Sequence, residues 1–398
     1  MWLAYLIALV PMVLGGIAWM FSKKVVWWEW LIGCVAGLAI SATFHGCVVS
    51  SMTGDVETWS GQVASVTHYP EWIEEYQEMH TRTVSDGVDS DGNAQSHTET
   101  YYTTEHRTHH ECWEQAENYG RISDTSGIEK GEFDEIAKLF GGQIDVEKPH
   151  KSGFDGGDPN IYVVQNRTRH VIPLTITRQW ENRVKAAPSV FSFAQVPEGV
   201  KVQEYPKNDN RKVSDRVMGT ARGRFSTAEW DKMCSRLGPA KKVNLIVVGF
   251  DSADSQLGQW QEAKWIGGKK NDLVLCYGAT DHLEQPQWAY VYGWTEKEGV
   301  KKSLQTILLE GPLGDELIPK IEREVAANYL IKDWSKFDYI TVEPPVWTLM
   351  VLVAAMLLVQ VGYWVFAFLN EATKWEDTFA GSVHNRFRKT SFYERNYQ

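Results

Sequence analysis

The chain has 398 residues and a formal net charge of −11 at pH 7, with 40 Lys and Arg against 51 Asp and Glu. This acidic excess argues against a protein that binds nucleic acid through a broadly basic surface. Hydrophobic residues make up 43% of the chain and aromatic residues 12%, so the chain can bury a core and is not of the disordered class.

Three long apolar runs dominate the hydropathy of the chain and occupy residues 2–21, 25–44 and 346–369. Each has about 20 residues or more, which lets a helix cross a hydrocarbon core of ~30 Å. Tryptophan residues lie at the borders of these runs, where the membrane interface favours their amphipathic rings. The pattern predicts two transmembrane helices within residues 1–49 and a third within residues 344–370.

The basic residues that flank the apolar runs predict the orientation of the chain. Lys23 and Lys24 lie between the first two runs, and five Lys and Arg follow the third within residues 371–398. Basic segments close to a membrane stay in the cytoplasm, so the link between the first two runs and the C-terminal segment are both predicted to be cytoplasmic. The membrane would be a bacterial inner membrane or a host cell membrane. Residues 50–344 then lie outside the cytoplasm. The first run has no basic residue before it, which favours an uncleaved span over a signal peptide.

Residues 50–212 carry alternating patterns and turn signals that are typical of β-strands. Met79–Val84 and His97–Thr108 alternate and are rich in Thr and Tyr, and the polar stretch 85–93 separates them. The sequence thus predicts a long β-hairpin with a polar tip. Aspartates in the tip could bind Ca²⁺, but the closing glutamate of an EF-hand is missing, which favours a solvated loop. A short amphipathic helix is predicted over residues 129–140.

Residues 213–343 change to alternating helix and strand signals. The capping box Ser226–Glu229 begins a helix, and the apolar runs 243–250, 272–277 and 288–292 predict buried strands. The order α-β-α-β-β-α-α predicts a compact α/β sandwich. The fold class is therefore an α+β membrane protein with a β-rich first half and an α/β second half between its spans. We expect a single core in the second half with six members: Leu245, Val247, Val274, Leu275, Trp288 and Val291.

Helix-breaking and capping residues predict where the helices of the second half begin and end. Gly238-Pro239 is expected to end the first helix, and the capping box Thr295–Glu298 to begin another that runs to about Glu310. Pro319 is expected to interrupt a helix over residues 313–329.

Three stretches of the second half resemble the TPM domain family, whose members are extracytoplasmic α/β domains that often lie beside membrane spans. They are residues 226–231 (STAEWD), 244–248 (NLIVV) and 265–275 (WIGGKKNDLVL). In that family one aspartate precedes the first helix and another follows the second buried strand, so the resemblance implies Asp215 and Asp281 as site residues. The family's usual Asp-Arg pair is Asp281-His282 here. Some members are acid phosphatases, which implies metal-dependent phosphatase activity as one alternative.

The arrangement of spans and middle segment also resembles uncharacterised membrane proteins of bacteriophages and bacteria. The resemblance rests on residues 188–193 (PSVFSF), 267–272 (GGKKND) and 338–347 (DYITVEPPVW). It implies a phage or bacterial origin and a membrane topology, and it implies no chemistry.

His106, His110 and Cys112 form the densest group of metal-ligand side chains in the sequence. On one strand all three would point to the same face, and they could bind Zn²⁺ if a fourth ligand came from elsewhere. Their spacing matches no standard zinc module, and His109 would lie on the opposite face. The favoured interpretation is a polar strand face with exposed histidines and no bound zinc.

Four aspartates lie at or near the ends of the strands predicted in the second half: Asp215, Asp251, Asp254 and Asp281. Ligands of open α/β sheets bind at the carboxyl ends of the strands. These carboxylates could therefore bind a divalent cation that positions a phosphate. Roles in turns and helix caps are the favoured alternative. No nucleotide-binding loop, nucleophile elbow or zinc-protease motif occurs in the sequence, so we predict no resident cofactor.

The cysteines between the second and third apolar runs are Cys112, Cys234 and Cys276, which are odd in number and far apart. This spacing is not typical of a disulfide framework. The favoured interpretation is that the three cysteines are small buried side chains. A single bridge among them stays an alternative.

Two functions are compatible with these patterns. The first is a three-span protein in the lipid bilayer that displays a large outward domain and binds an envelope or membrane protein, or further copies of itself. The second is a TPM-like, metal-dependent phosphatase on the same anchor. The absence of a catalytic motif favours the first.

Overall fold

A computed structural model describes residues 9–10, 12–17, 27–88, 94–148, 159–187, 193–207, 215–280 and 284–372. The chain divides into two compact units. The first unit comprises residues 1–54, 181–191 and 336–398, and the second comprises residues 55–180 and 192–335. The described residues form a mixed α+β fold with three sheets, which confirms the predicted α+β class.

The helices and strands are numbered here in chain order. The α-helices are α1 (Trp27–Thr53), α2 (Lys130–Leu139), α3 (Thr227–Lys241), α4 (Gln256–Lys264), α5 (Gly299–Glu310), α6 (Ile318–Asn328) and α7 (Val346–Ala372). The strands are β1 (Gly54–Tyr69), β2 (Trp72–Val88), β3 (Ala94–His109), β4 (Cys112–Asn118), β5 (Ser123–Ile128), β6 (Asp145–Glu147), β7 (Ile161–Gln165), β8 (Pro173–Glu181), β9 (Val217–Gly219), β10 (Asn244–Phe250), β11 (Asp272–Gly278) and β12 (Trp288–Gly293).

The first unit contains the apolar helices α1 and α7, which contact each other. The Ser41 hydroxyl donates a hydrogen bond to Met356 Sδ at 3.5 Å. Small residues on one face let helix backbones approach closely. The buried side chains and glycine of the two helices recur at helical spacing: Cys34, Gly37 and Ser41 on α1, and Thr348, Leu352 and Met356 on α7.

Within the described residues, one helical segment is long and apolar enough to cross a membrane, and it spans Cys34–Thr53. Helix α1 therefore continues past Phe44, where the sequence predicts the second span to end. The Ser51 and Thr53 hydroxyls donate to the carbonyl oxygens of Val48 and Val49 within its last turn. The apolar stretch Val346–Val359 of α7 is shorter. Of the first predicted span, residues 9–10 and 12–17 are described and are helical.

A six-stranded sheet forms the first half of the second unit, in the order β5-β4-β1-β7-β6, with β8 also paired to β1. Helix α2 packs on this sheet because its apolar residues recur on one face, as predicted. The indole of Trp59 is fully buried and donates to the carbonyl oxygen of Tyr119 at 3.2 Å. The core of this half contains Trp59, Val63, Val66, Tyr119, Phe133, Ile136, Phe140, Val164, Leu174 and Ile176.

A four-stranded sheet in the order β12-β11-β10-β9 forms the second half. Strands β9, β10 and β11 are parallel, and β12 is antiparallel to β11. The six predicted core residues are all buried, but they form two cores because alternate side chains of a strand face opposite ways. On the face covered by α3, α5 and α6 lie Leu245, Val247, Leu275 and Val291. On the other face lie Val274 and Trp288.

Three predicted helix limits are wrong, and each has a local reason. Helix α3 continues through Pro239 to Lys241, and the left-handed Lys242 then closes it with a bond from its N–H to Gly238 O. Helix α5 begins at Gly299, after the predicted start: the Thr295 hydroxyl donates to Leu330 O and accepts from Lys297 N at 3.2 Å, so it closes a turn ahead of the helix. Pro319 lies in the first turn of α6, where its missing N–H costs nothing, so it begins the helix rather than interrupting it.

The two halves of the second unit meet through backbone contacts. A Cβ placed on Gly238 would lie 1.9 Å from Ser60 O, so only glycine allows α3 to approach β1 this closely. The Asn271 amide donates to Thr58 O at 2.7 Å and to Lys242 O at 2.8 Å. The predicted β-rich and α/β halves therefore share one packed unit.

Candidate functional site

The β2–β3 hairpin stands apart from both larger sheets. Among the described residues its strands pair with each other and form a two-stranded sheet of their own. The antiparallel register places Trp72 opposite His109 at the base and Val84 opposite His97 near the tip. None of its described side chains is buried. A hairpin of this kind is marginally stable in water, so its own cross-strand contacts must support it.

One face of the hairpin, which we call the ladder face, carries residues 72–84 of even number on β2 and residues 97–109 of odd number on β3. At its base the rings of Trp72 and His109 stack at 4.6 Å, and His109 Nε2 lies 2.8 Å from a carboxylate oxygen of Glu74. Near its tip Arg82 donates to the Glu99 carboxylate at 2.8 Å. Because of these contacts, several side chains of the ladder face are only partly exposed to solvent.

The opposite face, which we call the threonine face, carries residues 73–85 of odd number on β2 and residues 96–108 of even number on β3. Every described side chain on it is exposed, and Ile73, Met79 and Tyr102 are 63%, 61% and 61% exposed. Met79 and Tyr102 lie directly opposite each other. The charged groups of this face are Glu75 and His106, which pair at 3.7 Å. Its threonines are Thr81, Thr83, Thr98, Thr100, Thr104 and Thr108.

A group of metal-ligand side chains lies in the middle of the ladder face. One ligand atom from each of Glu78, His80 and Glu105 lies within 4.8 Å of the other two. The hydroxyl of Thr103 lies between them, 2.8 Å from His80 Nε2, and it donates to Glu105 Oε1 at 3.2 Å. The ring of Tyr101 stacks on that of His80 at 5.3 Å.

The three candidate zinc ligands of the sequence do not lie on one strand face. Strand β3 ends at His109, and the chain crosses to the six-stranded sheet before Cys112 opens β4. His106 contacts Glu75 at 3.7 Å, and His110 contacts Glu71 at 3.5 Å. Within the described residues, the three-ligand group on the ladder face contains none of these three candidates.

The cysteine predictions have mixed outcomes. Cys234 and Cys276 are buried as predicted, whereas Cys112 is exposed, and all three are free thiols. Burial raises the pKa of the Cys234 thiol to about 12, so it does not form a reactive thiolate near neutral pH.

Of the four candidate aspartates, Asp215 does not lie at the strand ends where Asp251 and Asp254 lie. Asp215 precedes β9 and forms an ion pair with Arg222. Because Val217 pairs with Val247 in the parallel register, Asp215 lies toward the amino ends of the strands. Asp251 follows the carboxyl end of β10, and Asp254 accepts a hydrogen bond from Gln256 N at 2.9 Å at the start of α4. Asp281 lies outside the described residues.

Charged groups that the sequence does not single out are buried in the second half. The guanidinium of Arg216 is fully buried and lies 3.5 Å from Asp231 on α3. Burial raises the pKa of Asp231 to about 6, although the charge of Arg216 opposes this shift. Burial also raises the pKa of Asp272, which accepts hydrogen bonds from Asn244 and Tyr205. These groups are closed to solvent and position the strands rather than a substrate.

The sequence contains only a faint signal for the ladder-face group. Glu78 and His80 are separated by one residue and so share a strand face, which alternation alone indicates. The contribution of Glu105 depends on the cross-strand register, which the sequence does not specify. Compared with known proteins, the chain matches no family model, no curated protein and no solved structure.

Proposed function

We propose that this chain is a multi-pass membrane protein that displays an extracytoplasmic interaction domain, and that the threonine face of the β2–β3 hairpin binds an envelope or membrane protein. The observation that carries this proposal is the exposure of every described side chain on that face, including Ile73, Met79 and Tyr102. The other sheets of the second unit bury most of their apolar side chains, and Val146 on β6 is an exposed exception. Met79 and Tyr102 lie side by side, and an exposed apolar pair of this size favours an interaction site.

The composition of the threonine face favours a protein partner. The centres of protein interfaces are poor in charged residues and rich in aromatic residues and methionine. Glu75 and His106 are the only Asp, Glu, His, Lys or Arg side chains described on this face and contact each other, and its other side chains are polar and uncharged or apolar. Binding to nucleic acid or to anionic lipid needs clustered Lys and Arg, and the threonine face has none within the described residues.

The apolar helices support the membrane part of the proposal. Apolar side chains exposed on α1 and α7 suit contact with lipid, and Val35, Met350 and Leu358 are examples. We propose three spans, with residues 50–344 outside the cytoplasm and the C-terminus inside, in a bacterial inner membrane or a host cell membrane. The basic residues beside the apolar runs and the resemblance to phage and bacterial membrane proteins support this arrangement.

Site-specific photo-crosslinking in cells that produce the full-length chain tests the proposal. A photoreactive amino acid replaces Tyr102 on the threonine face or, as the matched control, Tyr101 on the ladder face. These neighbours have opposite orientations at the same height of the hairpin. We expect a single crosslinked protein from position 102 and from position 79, and a much weaker product from position 101.

The composition of the crosslinked product decides the outcome. An adduct with one envelope or membrane protein that disappears in an Ile73→Asp background supports the proposal. An adduct of twice the chain mass would show self-association instead. Equal products from positions 101 and 102, or none from 102 and 79, would contradict a docking role for the threonine face.

A TPM-like, metal-dependent phosphatase on the same membrane anchor is the alternative. The observation that favours it is the four-stranded α/β sheet with helices on both faces, which fits the fold implied by the sequence resemblance. Metal-dependent hydrolysis of a generic phosphate ester by the purified full-length chain, lost in Asp215→Ala or Asp281→Ala, would support the phosphatase. No turnover in the wild type with Mg²⁺, Mn²⁺ or Ca²⁺ would leave the interaction protein as the better account.

A further inference from the structure

We propose that Glu78, His80 and Glu105 bind one Zn²⁺ ion on the ladder face of the hairpin. The three ligand atoms lie within 4.8 Å of one another, so small side-chain movements bring them onto one ion. Glu78 and His80 are two positions apart on β2. Glu105 lies on β3, where it pairs with Tyr76 of β2. The ion would therefore join the two strands.

The donor set selects zinc over the alkaline-earth cations. One imidazole nitrogen with two carboxylate oxygens is a ligand set typical of Zn²⁺ and other late first-row metals. Ca²⁺ and Mg²⁺ prefer oxygen ligands throughout. Three protein ligands leave a fourth tetrahedral position, and the exposure of the site allows water to fill it.

Neighbouring side chains orient the proposed ligands. Thr103 Oγ1 donates its only proton to Glu105 Oε1 at 3.2 Å, so at 2.8 Å it accepts a hydrogen bond from His80 Nε2 and holds the imidazole beside that carboxylate. The ring of Tyr101 stacks on the imidazole at 5.3 Å. Fixed ligand orientation strengthens metal binding because less side-chain freedom is lost when the ion arrives.

The charge around the group also favours a cation. Within the described part of the chain, no Lys or Arg nitrogen lies within 4.0 Å of the Glu78 or Glu105 carboxylate. The next carboxylate toward the tip, Glu99, instead pairs with Arg82 at 2.8 Å. Arg107 lies 5.1 Å over the ring of Tyr76, the residue opposite Glu105, and offsets part of this negative charge. A divalent ion would neutralise both carboxylates directly.

Zinc bound there would stiffen the hairpin. Strands β2 and β3 pair only with each other within the described residues. An ion bound to both strands near the middle of the hairpin would therefore oppose their separation. This inference goes beyond the proposed function and does not depend on it, because zinc binding is measured without any partner.

Isothermal titration of ZnCl₂ into the purified full-length chain in detergent tests the site. The variants are His80→Ala and Glu105→Gln, and the matched control is His97→Ala. His97 is a second exposed hairpin histidine with two carboxylates nearby, Asp86 at 2.6 Å and Glu99 at 3.4 Å. Those carboxylates contact different ring nitrogens, Nδ1 and Nε2, so they cannot share one ion with the ring.

We expect the wild type and His97→Ala to bind one Zn²⁺ more than His80→Ala, with Glu105→Gln weakened at least tenfold. Hydrogen exchange of the β2 and β3 amides should slow several-fold on adding zinc in the wild type and not in His80→Ala. Equal zinc stoichiometry in the wild type and His80→Ala would overturn the proposal. So would an equal loss in His97→Ala, or a wild type that binds no zinc.

Discussion

The β2–β3 hairpin and the β9–β12 sheet lie in the same unit and are stabilised in opposite ways. Every residue of β10 and β11 is buried, whereas no described residue of β2 or β3 is. The sheet is stabilised mainly by the removal of apolar surface from water on both faces. The hairpin depends on backbone pairing and on exposed cross-strand pairs, each worth roughly 0.2–1 kcal/mol.

This difference separates the parts of the molecule that maintain the fold from the part that is open to partners. A buried strand cannot change its side chains without cost, because close packing leaves no room for adjustment. The hairpin can vary its outward side chains freely, since few neighbours constrain them. The hairpin therefore has room for the proposed recognition surface and metal group, whereas the buried side chains of β10 and β11 are not accessible to a partner.

Truncation of a core side chain should have the largest effect. Leu245→Ala should lower the free energy of unfolding by ~2–5 kcal/mol, because Leu245 is fully buried and leaves a cavity. Met79→Ala on the threonine face is the matched control and should change it by less than about 0.5 kcal/mol. Urea unfolding followed by tryptophan fluorescence measures both. Similar losses in the two variants would break the comparison between the hairpin and the sheet.

The buried carboxyl of Asp231 should make stability depend on pH. Its folded pKa of about 6 exceeds the 3.8 that is usual for an exposed Asp, so the folded state binds the proton more tightly than the unfolded state. Its stabilising contribution is full below pH ~4 and is lost as pH rises toward about 6, by roughly 2–3 kcal/mol. Asp231→Asn should remove this component from the pH profile of thermal unfolding. Profiles of the same slope in wild type and variant would contradict the assigned titration.

Substitution of glycine by alanine should destabilise a helix whose glycine packs against a strand and stabilise a helix whose glycine faces solvent. Gly238→Ala in α3 should lower the free energy of unfolding by ~1–3 kcal/mol, because the new Cβ would lie 1.9 Å from Ser60 O. Gly131→Ala in α2 meets nothing within 4 Å and should raise it by up to ~1 kcal/mol through helix propensity. Thermal melting measures both directions. A stabilising Gly238→Ala would show that α3 and β1 do not pack as closely as described.

The smallest effect should come from an exposed pair on the hairpin. A double-mutant cycle on Arg82 and Glu99, which lie 2.8 Å apart, should give a coupling of ~0.2–1 kcal/mol that falls in high salt. Amide hydrogen exchange of β2 and β3 measures it locally. A coupling well above this range would mean that the hairpin is more rigid than its exposure indicates.

Local pattern in the sequence was sufficient for most of the regular structure. Alternation of apolar and polar residues predicted the hairpin, and the apolar runs of β10 and β11 predicted buried strands. The capping box at Ser226 predicted the start of α3, and Ser226 Oγ accepts a hydrogen bond from Glu229 N. These features depend on residues a few positions apart, so the sequence determines them directly.

The tertiary structure alone decided which distant residues meet. The sequence could not show that α3 lies against β1, where a Cβ on Gly238 would come 1.9 Å from Ser60 O. It grouped His106, His110 and Cys112 by proximity in the chain, whereas the strand register brings Glu78, His80 and Glu105 together instead. It also placed Asp215 with Asp251 at one edge, although strand direction separates them. Strand pairing and direction arise from long-range packing, and that is the physical reason the candidate site could not be predicted from local pattern.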